Sequence, residues 1–210
     1  MLRVTRRLTA ILIALLFAAH AVVAFPAAAA AEEPAVQTID TFYATLLDVM
    51  KHADQLKFAG RYEKLKPAIE DAFNLPLMTR LTVGPQWSSI PAAQQEQLTA
   101  EFSDYTISTY ANRFDGYSGE KFEVDPAPAA SSGGVIVKTD LVKSDGDKIS
   151  LNYLMRESGG ALKIIDVFLS GTASELATRR SEFTSVLRRD GPDGLIRLLQ
   201  QRSADLKKAA

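Results

Sequence analysis

Residues Val135–Leu169, VIVKTDLVKSDGDKISLNYLMRESGGALKIIDVFL, punctuate themselves into strands. Val135 to Val142 is rich in β-branched residues, and Asp145-Gly146 then supplies the dipeptide of a tight hairpin turn. Ile149, Leu151, Tyr153 and Met155 alternate with Ser150, Asn152, Leu154 and Arg156, the period of two that a half-buried strand imposes. Ser158-Gly159-Gly160 turns the chain again, and Ala161 to Leu169 makes another strand. Strands joined by such short turns predict an antiparallel meander. The last strand is apolar on both sides: Leu162, Ile164 and Phe168 on one, Ile165, Val167 and Leu169 on the other. It is therefore either covered by helices on both faces or lines an internal cavity. Barring bulges, alternation places Val135, Val137, Leu151, Tyr153, Ile165, Val167 and Leu169 on one common face.

Upstream of this stretch the spacing is helical. Val36, Ile39, Phe42, Leu46, Met50 and Ala53 recur every three or four residues, which predicts one buried helical face. A second helix is predicted from Arg61 to Phe73, and a short piece from Leu77 to Val83 ends at the breaker pair Gly84-Pro85. Ser89-Ile90-Pro91 opens a further helix, with Ser89 as its expected cap and Pro91 in its first turn. The apolar face of that helix is wide and aromatic: Leu98, Phe102, Tyr105, Ile107, Tyr110 and Phe114. Lys121 to Val124 reads as a short strand, and Asp125 to Gly134 as a loop rich in Pro, Ala, Ser and Gly. Downstream, Leu176, Phe183, Val186 and Leu187 share a helix, and Gly191-Pro192-Asp193-Gly194 leads into a last one. Helices, then strands, then helices predict an α+β domain with helices packed on a curved antiparallel sheet.

The amino terminus has another character. Arg3, Arg6 and Arg7 precede an almost wholly apolar run from Leu8 to Phe25, then the small residues Ala27–Ala31, then Glu32-Glu33. Basic, apolar and small-residue segments in that order are the layout of a secretory signal peptide, with an Ala-x-Ala site at Ala29–Ala31. The competing reading is an uncleaved anchor, since eighteen residues just span a bilayer. Removing residues 1–31 takes three arginines and no acid from 24 basic and 25 acidic side chains, leaving 21 against 25, a net charge of −4. That balance argues against a nucleic-acid partner, which needs a basic excess. Residues 32–210 suit one domain with a real core, and the absence of cysteine is compatible with export at this size.

The catalytic inventory is short. His52 is the only histidine beyond the signal segment, and its place on an amphipathic helix beside Lys51 makes it a solvated or edge residue. One histidine and no cysteine exclude the usual zinc sites. No serine sits in a nucleophile-elbow pattern, and no glycine-rich phosphate loop with lysine occurs. Gly116-Tyr117-Ser118-Gly119 is a helix-ending turn. Among the acids only Asp166, inside an apolar strand, draws notice; a carboxylate paired with arginine at the sheet edge accounts for it. The basic pairs Arg179-Arg180 and Arg188-Arg189 suit anionic lipid headgroups or an acidic partner, but Glu175, Glu182 and Asp190 balance them as on a solvated helix face. Trp87 and the aromatic stripe Phe102, Tyr105, Tyr110 and Phe114 suit a lipid pocket or plain core.

Three stretches together resemble the MlaC family of periplasmic lipid carriers, also called toluene-tolerance auxiliary proteins. They are LTVGPQWSSIPAAQQ (81–95), FSDYTISTYA (102–111), and residues 169–199, with Gly171, Phe183, Leu187, Arg188 and DGPDGL at 190–195. Order and spacing agree over nearly all of residues 36–205. FNLPLMTR (73–80) and RFDGYSGE (113–120) are similar to the hopanoid-associated HpnM branch. The resemblance implies a fold like nuclear transport factor 2, with lipid tails held in an apolar cavity between sheet and helices. It implies a phospholipid or hopanoid ligand shuttled through the periplasm between an inner-membrane lipid transport complex and an outer-membrane lipoprotein or transporter. It brings no catalytic residue, cofactor or metal. By pattern, the expected lining is Phe102, Tyr105 and Tyr110 from the aromatic helix, facing Val135, Val137, Leu151, Tyr153, Ile165, Val167 and Leu169. Two other classes remain open at this point: an envelope enzyme acting on lipid or glycan through carboxylates such as Asp166, and an envelope adaptor without ligand.

Overall fold

Helix α1 (Ala29–Lys51) buries the predicted stripe: Ile39, Phe42, Leu46 and Met50 are all in the core, joined by Tyr43 and Val49. The structure is a computed structural model and describes residues 29–209. The segment read as a signal peptide lies outside the described residues, apart from Ala29–Ala31 at the start of α1.

Helix α2 (Ala53–Ala72) starts earlier than expected because it contains a kink at Lys57, whose φ is +52°. Arg61, buried just beyond that break, reaches back across it and also over to α4. Its Nη1 donates to the Ala53 carbonyl at 3.3 Å, and its Nε donates to the Ala111 carbonyl at 2.8 Å near the end of α4. Helix ends leave their last carbonyls without intrahelical partners, so this guanidinium ties α2 to α4. Phe73 then turns extended and bridges to Ile164, while the Asn74 side chain caps α3 (Leu75–Val83) by accepting from the Leu77 N–H at 3.1 Å. A short 3-10 turn over Gly84–Ser89 leads to α4 (Ala92–Arg113). Ser89 does not cap α4. Its hydroxyl donates backwards to the Gln86 carbonyl at 2.7 Å, and Pro91 occupies the cap position.

The sheet follows. Its strands are β1 (Lys121–Val124), β2 (Ala129–Ser131), β3 (Gly134–Val137), β4 (Thr139–Val142), β5 (Lys148–Ser158), β6 (Ala161–Leu169) and β7 (Ala173–Ser174), all paired antiparallel. β3 and β4 lie end to end along one edge of β5, with Val137 opposite Tyr153 and Asp140 opposite Ser150. β6 takes the other edge and β7 lies beyond it. The stretch read as one strand from Val135 to Val142 is thus interrupted at Lys138, and the stretch read as a loop contains β2. At the interruption side chains replace ladder bonds. The Thr139 N–H donates to Asn152 Oδ1 at 3.4 Å, and the Thr139 hydroxyl donates to the Leu151 carbonyl.

A second irregularity changes the face assignments. Tyr153 pairs with Val167 and Leu154 with Asp166, but Met155 pairs with Ile164, so Ile165 is an extra residue in β6. A bulge of this kind reverses which parity faces inward. Beyond it Ile164, not Ile165, shares a face with Met155, and both are fully buried.

Helix α5 (Glu175–Lys208) closes the domain, and Gly191 kinks it with φ +65° and ψ −171°. It therefore behaves as the two predicted helices, the second packing along α4. α1 covers β1, β3 and β6, and α3 and α5 also reach β6, so one core forms between the helices and one face of the sheet.

Candidate functional site

Where α1 stops covering the sheet, the layers part. Between β5–β6 on one side and α3, α4 and the start of α5 on the other is a cavity of about 660 Å³, its open mouth included. The floor is built by two cross-strand pairs, Leu151 with Leu169 and Tyr153 with Val167. The helical wall is one face of α4: Phe102, Thr106, the adjacent Thr109 and Tyr110, and Arg113 succeed one another by helical turns, and Phe114 continues it. Phe73 and Met78 close the inner side. Phe42, Phe73 and Tyr110 meet edge to face at 5.3–5.7 Å, which fixes the rings that form this wall.

Two polar features interrupt the apolar lining. At the inner end, Tyr43, Tyr153 and Thr139 share hydrogen bonds, with the Tyr43 and Tyr153 hydroxyls 3.0 Å apart. Burial pushes the Tyr43 phenol up to about 12 and raises those of Tyr110 and Tyr153 further, so all three are neutral hydroxyls at physiological pH. At the mouth stand Arg113, Glu175 and Arg179. Arg179 lies 3.4 Å from Glu175 and stacks 4.6 Å over the Tyr105 ring. Burial opposes ionisation of Tyr105, but the positive charges of Arg179 and Arg202 prevail and hold its phenol below the ordinary value.

The cavity's titratable side chains do not form a nucleophile and base. The Thr106 and Thr109 hydroxyls donate to carbonyls of their own helix at 2.8 Å, and Glu175 faces Arg179. Among the described residues no group of three or more His, Cys, Asp or Glu could hold a metal ion, and no helix is long and apolar enough to cross a membrane.

Residues 40–201 match the family model described as MlaC protein. The chain belongs to the MlaC family. No curated protein matches it as a relative. Among solved structures it is similar to a phospholipid-binding protein from Ralstonia solanacearum, determined in complex with a phospholipid. The identity is 24% over 82% of this chain and 98% of that one, with a TM-score of 0.71. The two share a fold, and the expected class of helices on a curved antiparallel sheet is the observed one.

In this MlaC-family fold, six of the ten residues read from pattern come together around the cavity: Phe102, Tyr110, Leu151, Tyr153, Val167 and Leu169. Four do not line it. Val135 and Val137 lie on β3, on the part of the sheet that α1 covers, and Val137 is fully buried there. Ile165 is the bulge residue. Tyr105 sits behind the mouth as the ring under Arg179. Pattern reading also passed over Phe73, Met78, Thr106, Thr109, Arg113, Glu175 and Arg179 as lining residues. Thr106, Thr109 and Arg113 carry a sequence signal, because they continue the 102–110 spacing of α4. Glu175 and Arg179 carry a weaker one, an i, i+4 pair just after the last strand.

Asp166 also departs from expectation. It pairs with no arginine among the described residues; its carboxylate accepts from the Val167 and Leu176 N–H groups and from the Ser174 hydroxyl at 2.6–3.0 Å. With Ser174, which accepts from the Ala177 N–H at 2.9 Å, it caps α5. His52 is half-exposed at the α1–α2 junction, its Nδ1 2.8 Å from the Asp48 carbonyl oxygen. Of the acids expected to balance the basic helix, Glu175 and Asp190 pair with Arg179 and Arg189, while Glu182 reaches across the kink to Arg202.

Proposed function

We propose that this chain is a periplasmic lipid carrier that takes a membrane lipid, phospholipid or hopanoid, between the inner and outer membranes. The observation that carries the reading is the cavity itself: an apolar, aromatic-walled space between sheet and helices, open to solvent at one end. Two acyl chains present on the order of 30 methylenes at ~0.8 kcal/mol each, so free passage through water would cost over ~20 kcal/mol. A protein that encloses the tails removes that cost. Two such chains, at about 30 Å³ per methylene-sized group, exceed the space between the walls even with its open mouth counted, so loading on this proposal requires the walls to part or the chain ends to stay at the mouth. Membership of the MlaC family and the phospholipid bound by the Ralstonia protein support the same reading.

Export as a mature chain from about Glu32, and exchange of lipid with an inner-membrane transport complex and with an outer-membrane lipoprotein or transporter, complete the proposal. No catalytic step is included. Asp166, the acid on which an enzyme reading rested, is occupied in capping and lies outside the cavity lining. Native mass spectrometry of protein purified from its host tests the carrier reading. One lipid co-purifying per chain is expected; a ligand-free protein that also fails to take up lipid from vesicles would sink it.

A further inference from the structure

An apolar cavity needs no charge at its rim to hold hydrocarbon, yet two arginines stand there. Arg113 projects from the last turn of α4, and among the described residues it belongs to no ion pair. Arg179 is held in place: its side chain is only 16% exposed, and the Tyr105 ring supports it from below. Its one carboxylate contact is a single 3.4 Å approach to Glu175. A guanidinium has five donors in a planar fork, so most of Arg179's remain open to a ligand. Arg202, over the same ring at 5.8 Å, differs because two of its nitrogens bind the Glu182 carboxylate. The mouth thus carries two cations and one anion, in a chain whose residues 32–210 are net acidic.

We infer that Arg113 and Arg179 form a headgroup site for the phosphodiester of a phosphate-headed lipid, so that the chain selects phospholipids over neutral lipids such as hopanoids. The inference rests on the carrier reading above and deepens it. Connectivity places the groups. With tails between α4 and the β5–β6 floor, the glycerol lies at the mouth and its phosphate meets the rim first. Arginine suits a phosphate because its fork can make two parallel charge-assisted bonds. A neutral head would leave both cations unanswered. Glu175 competes with the phosphate for Arg179, which weakens binding and so favours release. Arg113 at a helix carboxy terminus also has an ordinary explanation, attraction to the helix dipole, but that explanation predicts no lipid preference.

The test is a titration of delipidated protein with phosphatidylglycerol, with diacylglycerol bearing the same chains, and with inorganic phosphate. Wild type is expected to hold phosphatidylglycerol about tenfold more tightly than diacylglycerol, the order of one charge-assisted contact. Arg113→Gln with Arg179→Gln should bring that ratio close to one, and Lys at both positions should keep part of it. Glu175→Gln should raise the ratio, a direction that damage to the fold does not produce. A wild-type ratio near one, or a full preference in the double Gln variant at native melting temperature, overturns the headgroup site. So does inorganic phosphate binding as tightly as phosphatidylglycerol, which would mark a free-anion site. Wild type that takes up neither lipid refutes the carrier reading instead.

Discussion

Asp166 and Asp104 show how single carboxylates are used when no chemistry is asked of them. Asp166 is buried, and its oxygens serve two backbone N–H groups and the Ser174 hydroxyl at the start of α5. Asp166→Ala leaves those donors without a partner, a loss of about 2–3 kcal/mol. We expect a melting temperature roughly 5–10 °C lower while lipid binding is retained; an unchanged melting temperature would contradict the capping role. From sequence the residue reads as an arginine partner because its environment is apolar and its true partners are main-chain groups, which composition does not reveal. Asp104 is a titration case. Burial works to raise its pKa, but hydrogen bonds from Tyr62 at 2.7 Å and from Lys207 at 3.0–3.1 Å prevail, and the pKa is lowered. A depressed folded pKa contributes stability that is complete above the unfolded value of ~3.9, and that stability is lost as pH falls through the folded value. Asp104→Asn should therefore melt below wild type at pH 6, and the gap should close towards pH 2. Parallel melting curves at both pH values would exclude this role.

Elements were legible in proportion to how one-sided their burial is. α1 and β5 show their periods plainly because one face of each meets the core and the other meets water: Leu151, Tyr153 and Met155 are buried, while their neighbours in β5 are not. β6 is apolar on both sides, so alternation carries no information about where the extra residue falls. The bulge at Ile165 consequently moved Ile164 to the inner face against the expected parity. The edge made of β1 and β2 was half visible for a different reason. β2 is short and built of Ala and Ser, and it exists because β3 offers it a partner. Gly134 makes that arrangement possible. Its φ is +141°, and a Cβ there would lie 2.0 Å from the Met155 carbonyl oxygen on β5. Backbone cannot retreat as a flexible side chain can, so Gly134→Ala should cost about 3 kcal/mol or more. A urea midpoint within error of wild type would show that β3 can detach from β5 without consequence.

At the scale of the whole molecule, one continuous sheet face does two jobs, and α1 marks the division between them. Where α1 lies on β3 and the start of β6 the face is solid core; where β5 and the end of β6 run on towards α5 it is the floor of the cavity. The alternation of strand residues cannot draw that line, since a residue facing packed helix and one facing a cavity are equally apolar. For this reason Val135 and Val137 read from sequence as cavity residues alongside Val167. Two substitutions of the same size separate the regions. Val137 is fully buried opposite Tyr153, so Val137→Trp overpacks a filled space and should cost ~1–3 kcal/mol, with lipid still bound. Val167 lines the cavity opposite the same tyrosine. There the added ring occupies volume that a ligand would take, so Val167→Trp should lose lipid and melt close to delipidated wild type. The delipidated protein is the proper reference, because a bound ligand raises apparent stability by mass action. Melting temperature and lipid per chain after purification decide the matter. If Val167→Trp is destabilised yet still carries lipid, this face is ordinary core and the tails lie elsewhere.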